Sequence, residues 1–194
     1  MSGGHGELPV AARVRRLEER LIAAGLVTDD ELDEVLAQVF ASAAPANGAR
    51  MVARAWTDPA YRDRLLADGN AAAAELGFGA GSHGYLLKVV ENTASVHNMI
   101  VCTLCSCYPT ALLGPSPSWY KSFAYRSRAV REPRGVLAEF GLELPDDTEI
   151  RVWDANSETR YLVLPQRPEA ADGMDENALA SLVTSNGLIG TAVR

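Results

Sequence analysis

Gly84-Tyr-Leu-Leu-Lys-Val-Val-Glu-Asn-Thr-Ala-Ser-Val-His-Asn-Met-Ile-Val-Cys102 is where this chain changes character. Tyr85 to Val90 reads as a strand, Glu91-Asn-Thr93 supplies turn chemistry, and Val96 to Val101 is a second apolar run. Gly77, Gly79, Gly81 and Gly84 break any periodicity just before it and read as a hinge between two compositions. Upstream the pattern is helical. Val10, Val14, Leu17 and Leu21 share one face after Pro9, and Gly25 ends that run. Thr28 and Glu31 have capping-box spacing, opening a second helix whose Leu32, Val35, Leu36, Val39 and Phe40 fall at i, i+3, i+4, i+7 and i+8. The two form a helical hairpin whose apolar stripes need cover from the rest of the chain or from another subunit. Asn47-Gly48 and Asp58-Pro59 read as further helix starts, with Gly69 and Gly77 as stops.

Downstream, Pro109, Gly114, Pro115 and Pro117 impose an irregular loop. Helices are predicted from about Ser122 to Val130 and from Pro133 to Phe140-Gly141. Ile150 to Trp153 and Arg160 to Leu164 read as two strands joined as a hairpin through Asp154 to Ser157. A helix over Asp175 to Val183 and a final strand over Thr184 to Val193 complete the reading. The fold class is α+β: a helical N-terminal arm (1–46), then a mixed α/β layered body (47–194) carrying a cysteine-loop metal site.

The chain has 194 residues, 18 basic and 25 acidic side chains, and a net charge of −7. That balance lacks the positive footprint a nucleic acid or an anionic membrane surface would demand. No stretch approaches about 20 apolar residues, and the N-terminus lacks a basic region followed by an apolar one. The expected setting is soluble and cytoplasmic, with neither nucleic acid nor membrane as a partner.

All three cysteines, Cys102, Cys105 and Cys107, lie within six residues, a pattern of metal or redox chemistry rather than of a disulfide scaffold. Thiolates are soft ligands that suit zinc, copper(I), iron or cobalt. Zinc is short of a fourth ligand, since His5, His83 and His97 all precede the cluster, and an iron-sulfur cluster is short of a fourth cysteine. Ring counting is more specific. An ion bound to the Cys105 sulfur and the Ser106 backbone nitrogen closes a six-membered ring. The nitrogens of Ser106 and Cys107 close a five-membered ring, and the nitrogen and sulfur of Cys107 another. Four donors then share a plane, Cys102 approaches from one side, and the opposite position stays open for catalysis. Deprotonated amide donors favour low-spin iron(III) or cobalt(III) over zinc. An open catalytic site therefore stands beside zinc, copper-handling and redox readings.

Val101-Cys-Thr-Leu-Cys-Ser-Cys-Tyr-Pro109 resembles the metal-binding segment of the cobalt-type nitrile hydratase α subunit. Ala53-Arg-Ala-Trp-Thr-Asp-Pro59, Trp119-Tyr-Lys121, Tyr125-Arg-Ser-Arg128, Glu132-Pro-Arg134, Arg151-Val-Trp-Asp154 and Leu164-Pro resemble the same family in order and spacing, from about residue 10 onward. The resemblance implies hydration of a small-molecule nitrile to the amide at a non-corrin Co(III) ion, with low-spin Fe(III) as the alternative. It implies sulfur ligands from Cys102, Cys105 and Cys107, nitrogen ligands from Ser106 and Cys107, a sulfinate at Cys105 and a sulfenate at Cys107. It also implies a β-type partner subunit and an activator that loads cobalt. Cys107 would be the nucleophile and Ser106 a proton relay. The family continues Tyr-Pro-Trp-Pro where this chain has Tyr108-Pro-Thr-Ala111; without the indole the pocket should be roomier, with Thr110 at its wall and a bulky or heteroaromatic nitrile as substrate. His83 stands where the family often has Gln and is a second candidate substrate contact.

Two other readings share the motif: the metal-bearing subunit of thiocyanate hydrolase, and a non-enzymatic cobalt or copper carrier. Among the remaining residues, His97 reads as a hydrogen-bonded core residue and Trp56, Trp119 and Trp153 as packing or interface residues. Arg126, Arg128, Arg131 and Arg134 read either as a solvated helical face or, the favoured reading, as pairing with acids of a partner.

Overall fold

The computed structural model describes residues 9–42, 44–78 and 84–193, of which 39–42 by backbone alone. The chain divides into two compact units at Ala41/Ser42. Val39 and Phe40 of the N-terminal stripe, and His83, lie outside the described side chains.

The first unit holds α1 (Val10–Ala23) and α2 (Asp29–Ser42). Helix α1 ends as the glycine reading expects: Gly25 has φ +66°, and the Leu26 N–H closes on the Leu21 carbonyl at 3.1 Å. The capping box forms, with Thr28 Oγ1 accepting from the Glu31 N–H at 3.2 Å and Glu31 Oε2 from the Thr28 N–H at 2.8 Å.

The second unit opens with α3 (Pro45–Thr57), α4 (Pro59–Ala67) and α5 (Gly69–Glu75). Two glycine readings are corrected here. Gly48 lies inside α3, and Gly69 begins α5 behind an Asp68 cap instead of ending a helix. Both are sites of close approach: a Cβ on Gly48 would lie 2.9 Å from the Leu112 carbonyl oxygen, and one on Gly69 only 2.6 Å from that of Leu87.

Four strands follow: β1 (Leu86–Glu91), β2 (Val96–Val101), β3 (Glu149–Asp154) and β4 (Thr159–Leu164). The predicted β3–β4 hairpin does not form. Instead β1 pairs in parallel with β4, from Leu86↔Thr159 to Glu91↔Leu164, and β2 pairs in parallel with β3, from Val96↔Glu149 to Val101↔Asp154. The reason lies in burial. His97 to Val101 and Leu162 to Leu164 are buried without a break, as in parallel strands covered on both faces, whereas a solvent-faced hairpin alternates. Each sequence-adjacent strand pair is joined by a turn, yet each strand bonds to a partner from the other half.

Between β2 and β3 lie α6 (Thr110–Leu113), a 3₁₀ turn (Ser118–Lys121), α7 (Phe123–Arg128) and α8 (Pro133–Glu139). After β4 come a 3₁₀ turn (Glu169–Ala171), α9 (Glu176–Leu182) and α10 (Ser185–Ile189). The predicted last strand is thus a helix, begun by Thr184 Oγ1 accepting from the Gly187 N–H at 3.1 Å and ended by Gly190 at φ +84°. The arginines of the α7–α8 region find acceptors within the same chain at some or all of their guanidinium nitrogens. Arg128 pairs with Glu132 and Glu139, Arg131 donates to the Ser127 carbonyl, and Arg134 donates to those of Leu144, Pro145 and Thr148. His97 is buried and hydrogen-bonded at both ring nitrogens. The tryptophans are partly buried and pack on the core or bond to it, as Trp56 does to the Pro165 carbonyl and Trp153 to Asn98.

Candidate metal centre

The parallel register sets the site. Val101 and Asp154 are Cα partners at the ends of β2 and β3, so the loop leaving β2 starts beside the Asp154 carboxylate. That carboxylate grips Thr103 twice, accepting from its N–H at 2.9 Å and from its hydroxyl at 2.6 Å. Arg126, on α7, donates to the Thr103 carbonyl at 2.7 Å. Further along, the Tyr120 hydroxyl donates to the Cys107 carbonyl at 3.0 Å. Tyr120 itself stands in an edge-to-face cluster with Tyr108 and Trp119. The loop is therefore held at both ends by side chains from elements that follow it in sequence.

Within it the three sulfurs converge. Cys102 Sγ lies 3.2 Å from Cys105 Sγ, which lies 3.0 Å from Cys107 Sγ, and all three are within 4.8 Å of one another. These distances are well beyond a disulfide bond of about 2.05 Å. With metal–thiolate bonds of about 2.3 Å, neighbouring sulfurs at right angles sit about 3.3 Å apart, and tetrahedral ones about 3.8 Å. The two short separations fit right-angled donors better than tetrahedral zinc. The backbone N–H groups of Cys107 and Ser106 both face the Cys105 sulfur, and that of Cys105 donates to Cys102 Sγ at 3.3 Å. Three convergent soft sulfurs thus form a donor set that fits a transition-metal ion.

Exposure grades the three thiols: Cys102 is fully buried, Cys107 intermediate and Cys105 exposed. Hydrogen bonds from the Cys107 and Cys102 thiols, joined by those backbone amides, pull the Cys105 thiol down to about 7. Burial, together with the bond to Cys105, pushes Cys107 up to about 12, while the Arg160 guanidinium is near enough to draw it back.

Ser106 is exposed between the two ring-forming cysteines, and Thr110 is exposed at the first residue of α6. Four residues absent from the sequence reading of the site surround it: Tyr120, Arg126, Asp154 and Arg160. A cleft of about 400 Å³ beside the loop is lined by Thr103, Phe123, Arg126, Ser127, Val130 and Asp154. Tyr120, Arg126 and Asp154 lie in segments that resemble the family, but nothing local ties them to the loop; their proximity to it follows from strand pairing and from the return of α7.

A mixed helix-and-sheet chain carrying a three-thiol loop able to hold a metal ion has the make-up of a metalloprotein. The chain matches the family described as "Nitrile hydratase, alpha chain" over residues 8–192, and it belongs to that family. It is 51% identical to the low-molecular weight cobalt-containing nitrile hydratase subunit alpha of Rhodococcus rhodochrous, an alignment covering 95% of this chain and 88% of that one. It is 48% identical to the thiocyanate hydrolase subunit gamma of Thiobacillus thioparus, over 77% of this chain and 65% of the other. Among solved structures, a double mutant of the Fe-type nitrile hydratase of Comamonas testosteroni Ni1 superposes with a TM-score of 0.89 at 43% identity, covering 94% of this chain and 89% of that one.

Proposed function

We propose that this chain is the metal-bearing α subunit of a nitrile hydratase, converting an organic nitrile to its amide at a non-corrin cobalt(III) centre. Cys102, Cys105 and Cys107 would hold the ion through sulfur, and Ser106 and Cys107 through backbone nitrogen. The observation that carries this reading is the convergence of three sulfurs in one loop, two of their separations being 3.0 and 3.2 Å. Cobalt is favoured over iron because the relative at 51% identity is named cobalt-containing. Bound there, cobalt(III) supplies Lewis acidity that makes a nitrile carbon electrophilic.

The chain's own residues do the rest. Cys105 would carry the sulfinate and Cys107 the sulfenate, whose oxygen either orients the water that adds to the nitrile carbon or adds to it itself, water then releasing the amide and restoring the sulfenate. Ser106, exposed between them, relays protons from solvent. Thr110 leaves the pocket wall open to bulky or heteroaromatic nitriles, with His83 as a second contact. Residues 47–194 form the catalytic domain and 1–46 an arm directed at a β-type partner subunit. An activator loads the cobalt, and the assembly works in the cytoplasm. No helix among the described residues is long and apolar enough to cross a membrane.

Mass spectrometry of the Cys102–Cys107 peptide, with elemental analysis, tests the centre. One cobalt per chain, with two added oxygens on Cys105 and one on Cys107, is expected; tetrahedral zinc, or three free thiols in active material, would overturn it. Cys107→Ser should abolish turnover, and a cobalt-loaded variant that remains active would exclude Cys107 as the nucleophile. Thiocyanate hydrolysis is the second reading, resting on the 48% identical relative. Amide from an organic nitrile favours the hydratase, whereas carbonyl sulfide from thiocyanate favours the hydrolase. Comparing a heteroaromatic with a short aliphatic nitrile in the same assay tests the roomier pocket; faster turnover of the aliphatic substrate would refute it.

A further inference from the structure

Each parallel pair of strands has a carboxyl end, and only one of the two carries the cysteine loop. β2 and β3 end at Val101 and Asp154, where that loop begins, whereas β1 and β4 end together at Glu91 and Leu164. A short turn joins β1 to β2, so the second end lies across β2 from the cysteines, about 20 Å away for six residues of strand. In open α/β sheets ligands sit in a crevice outside the carboxyl ends of the strands. Such a crevice is present here. A cavity of about 180 Å³ is lined in part by Asn92, His97, Thr148 and Gln166, and a cleft of about 390 Å³ in part by Trp56, Arg62 and Arg167. Asn92 and Gln166, each just past a strand end, line both.

The charges of this lining are already matched. Arg62 is bidentate on Glu91, and Arg167 lies 3.8 Å from Asp172 while donating to the Ala171 carbonyl at 2.9 Å. An ion entering the crevice would give up hydration and meet no unmatched opposite charge. Hydrogen-bonding groups, by contrast, are left over. Thr148 is 8% exposed, and its hydroxyl has no partner among the described residues; the side-chain amide of Gln166 has none there either. Asn92 commits its Oδ1 to Asn98 and one Nδ2 N–H to His97, which leaves its second N–H over. That inventory calls for a small neutral molecule bearing both a carbonyl acceptor and N–H donors. A nitrile, with one acceptor and no N–H, does not match it. We infer that this crevice is a second binding site, and that its ligand is a short primary carboxamide. The choice of an amide rests on the functional reading above, which makes it the reaction's own product, held here without competing for the metal.

The test is amide hydrogen exchange of the complex of this chain with its partner subunit, titrated with propionamide and, separately, with sodium propionate. Propionamide should slow exchange over residues 92–98 and 164–168, about tenfold once it exceeds its dissociation constant about tenfold, whereas propionate should not. Thr148→Val, which keeps the shape and removes the hydroxyl, should abolish that protection and leave the initial rate of nitrile turnover unchanged. Gln166→Leu, at an exposed position, should do the same, and it decides the matter if the valine variant fails to fold. Three results would overturn the inference: no protection of these segments in the wild type, equal protection by propionate, or undiminished protection in both variants. Protection confined to Cys102–Cys107 would do so too, since that is product at the metal alone. A complex that protects these segments but makes no amide from any nitrile would instead refute the functional reading and leave the site standing.

Discussion

Asp154 shows how much one side chain can do when both of its oxygens are aimed at one neighbour. It accepts the Thr103 N–H and hydroxyl together, and so fixes the residue between the first two cysteines. Asp154→Asn keeps the size but turns two charge-assisted bonds into neutral ones, the hydroxyl now accepting from the amide, at a cost of about 1 kcal/mol. The consequence should appear locally. Amide hydrogen exchange over Thr103 to Cys107 should quicken about fivefold in the metal-free chain, with the overall melting temperature nearly unchanged; unaltered exchange would show that the grip is idle. At this scale the cysteines were legible because their ring-forming spacing spans six residues. Tyr120, Arg126 and Asp154 were not, since they meet the loop from 13, 23 and 51 positions away. No periodicity encodes a meeting that exists only after strands have paired.

The elements most dependent on tertiary context were the ones misread. Capping boxes, Asp and Thr caps and proline starts are local chemistry and gave α1, α2, α4 and α9 nearly as expected. Strand partners are not local: the turns at Asn92–Ser95 and Ala155–Glu158 look like hairpin turns, yet β2 and β4 carry unbroken buried runs and pair in parallel. Likewise Leu188 and Ile189 were read as strand residues, although Thr184 and Gly190 bracket a short helix. Gly190 is indispensable there. Its φ is +84°, and a Cβ would fall 1.9 Å from the Asn98 carbonyl oxygen on β2. Gly190→Ala should cost at least about 3 kcal/mol through strain and overlap together. Urea unfolding of the purified complex measures this, and a loss under about 1 kcal/mol would mean that β2 can yield.

Across the whole molecule, one buried network joins the β1–β2 turn, β2, β3 and the C-terminal segment. His97 Nε2 donates to the Gly190 carbonyl at 2.7 Å, and its Nδ1 meets Asn92 Nδ2 at 3.3 Å. Asn92 Oδ1 accepts from the Asn98 N–H at 2.7 Å, and Asn98 Oδ1 from Trp153 Nε1 at 2.8 Å. Burial lowers the His97 pKa from its ordinary value of 6.5, with the Gly190 carbonyl opposing in part. The folded chain therefore binds this proton less readily than the unfolded one. This contribution to stability is fully present above pH 6.5 and is lost as pH falls from there toward the lower folded value. Melting temperature should decline from pH 7 to pH 5 more steeply in the wild type than in His97→Gln, which cannot titrate; parallel profiles would assign the decline to other groups.

The Thr103–Asp154 grip also has a consequence in time. Because the carboxylate lies 51 residues beyond the threonine it holds, a nascent chain whose cysteines have left the ribosome still lacks the clasp that shapes them. Any ion captured before β3 leaves the ribosome would meet three loosely tethered thiols, so the shaped loop waits on the synthesis of β3.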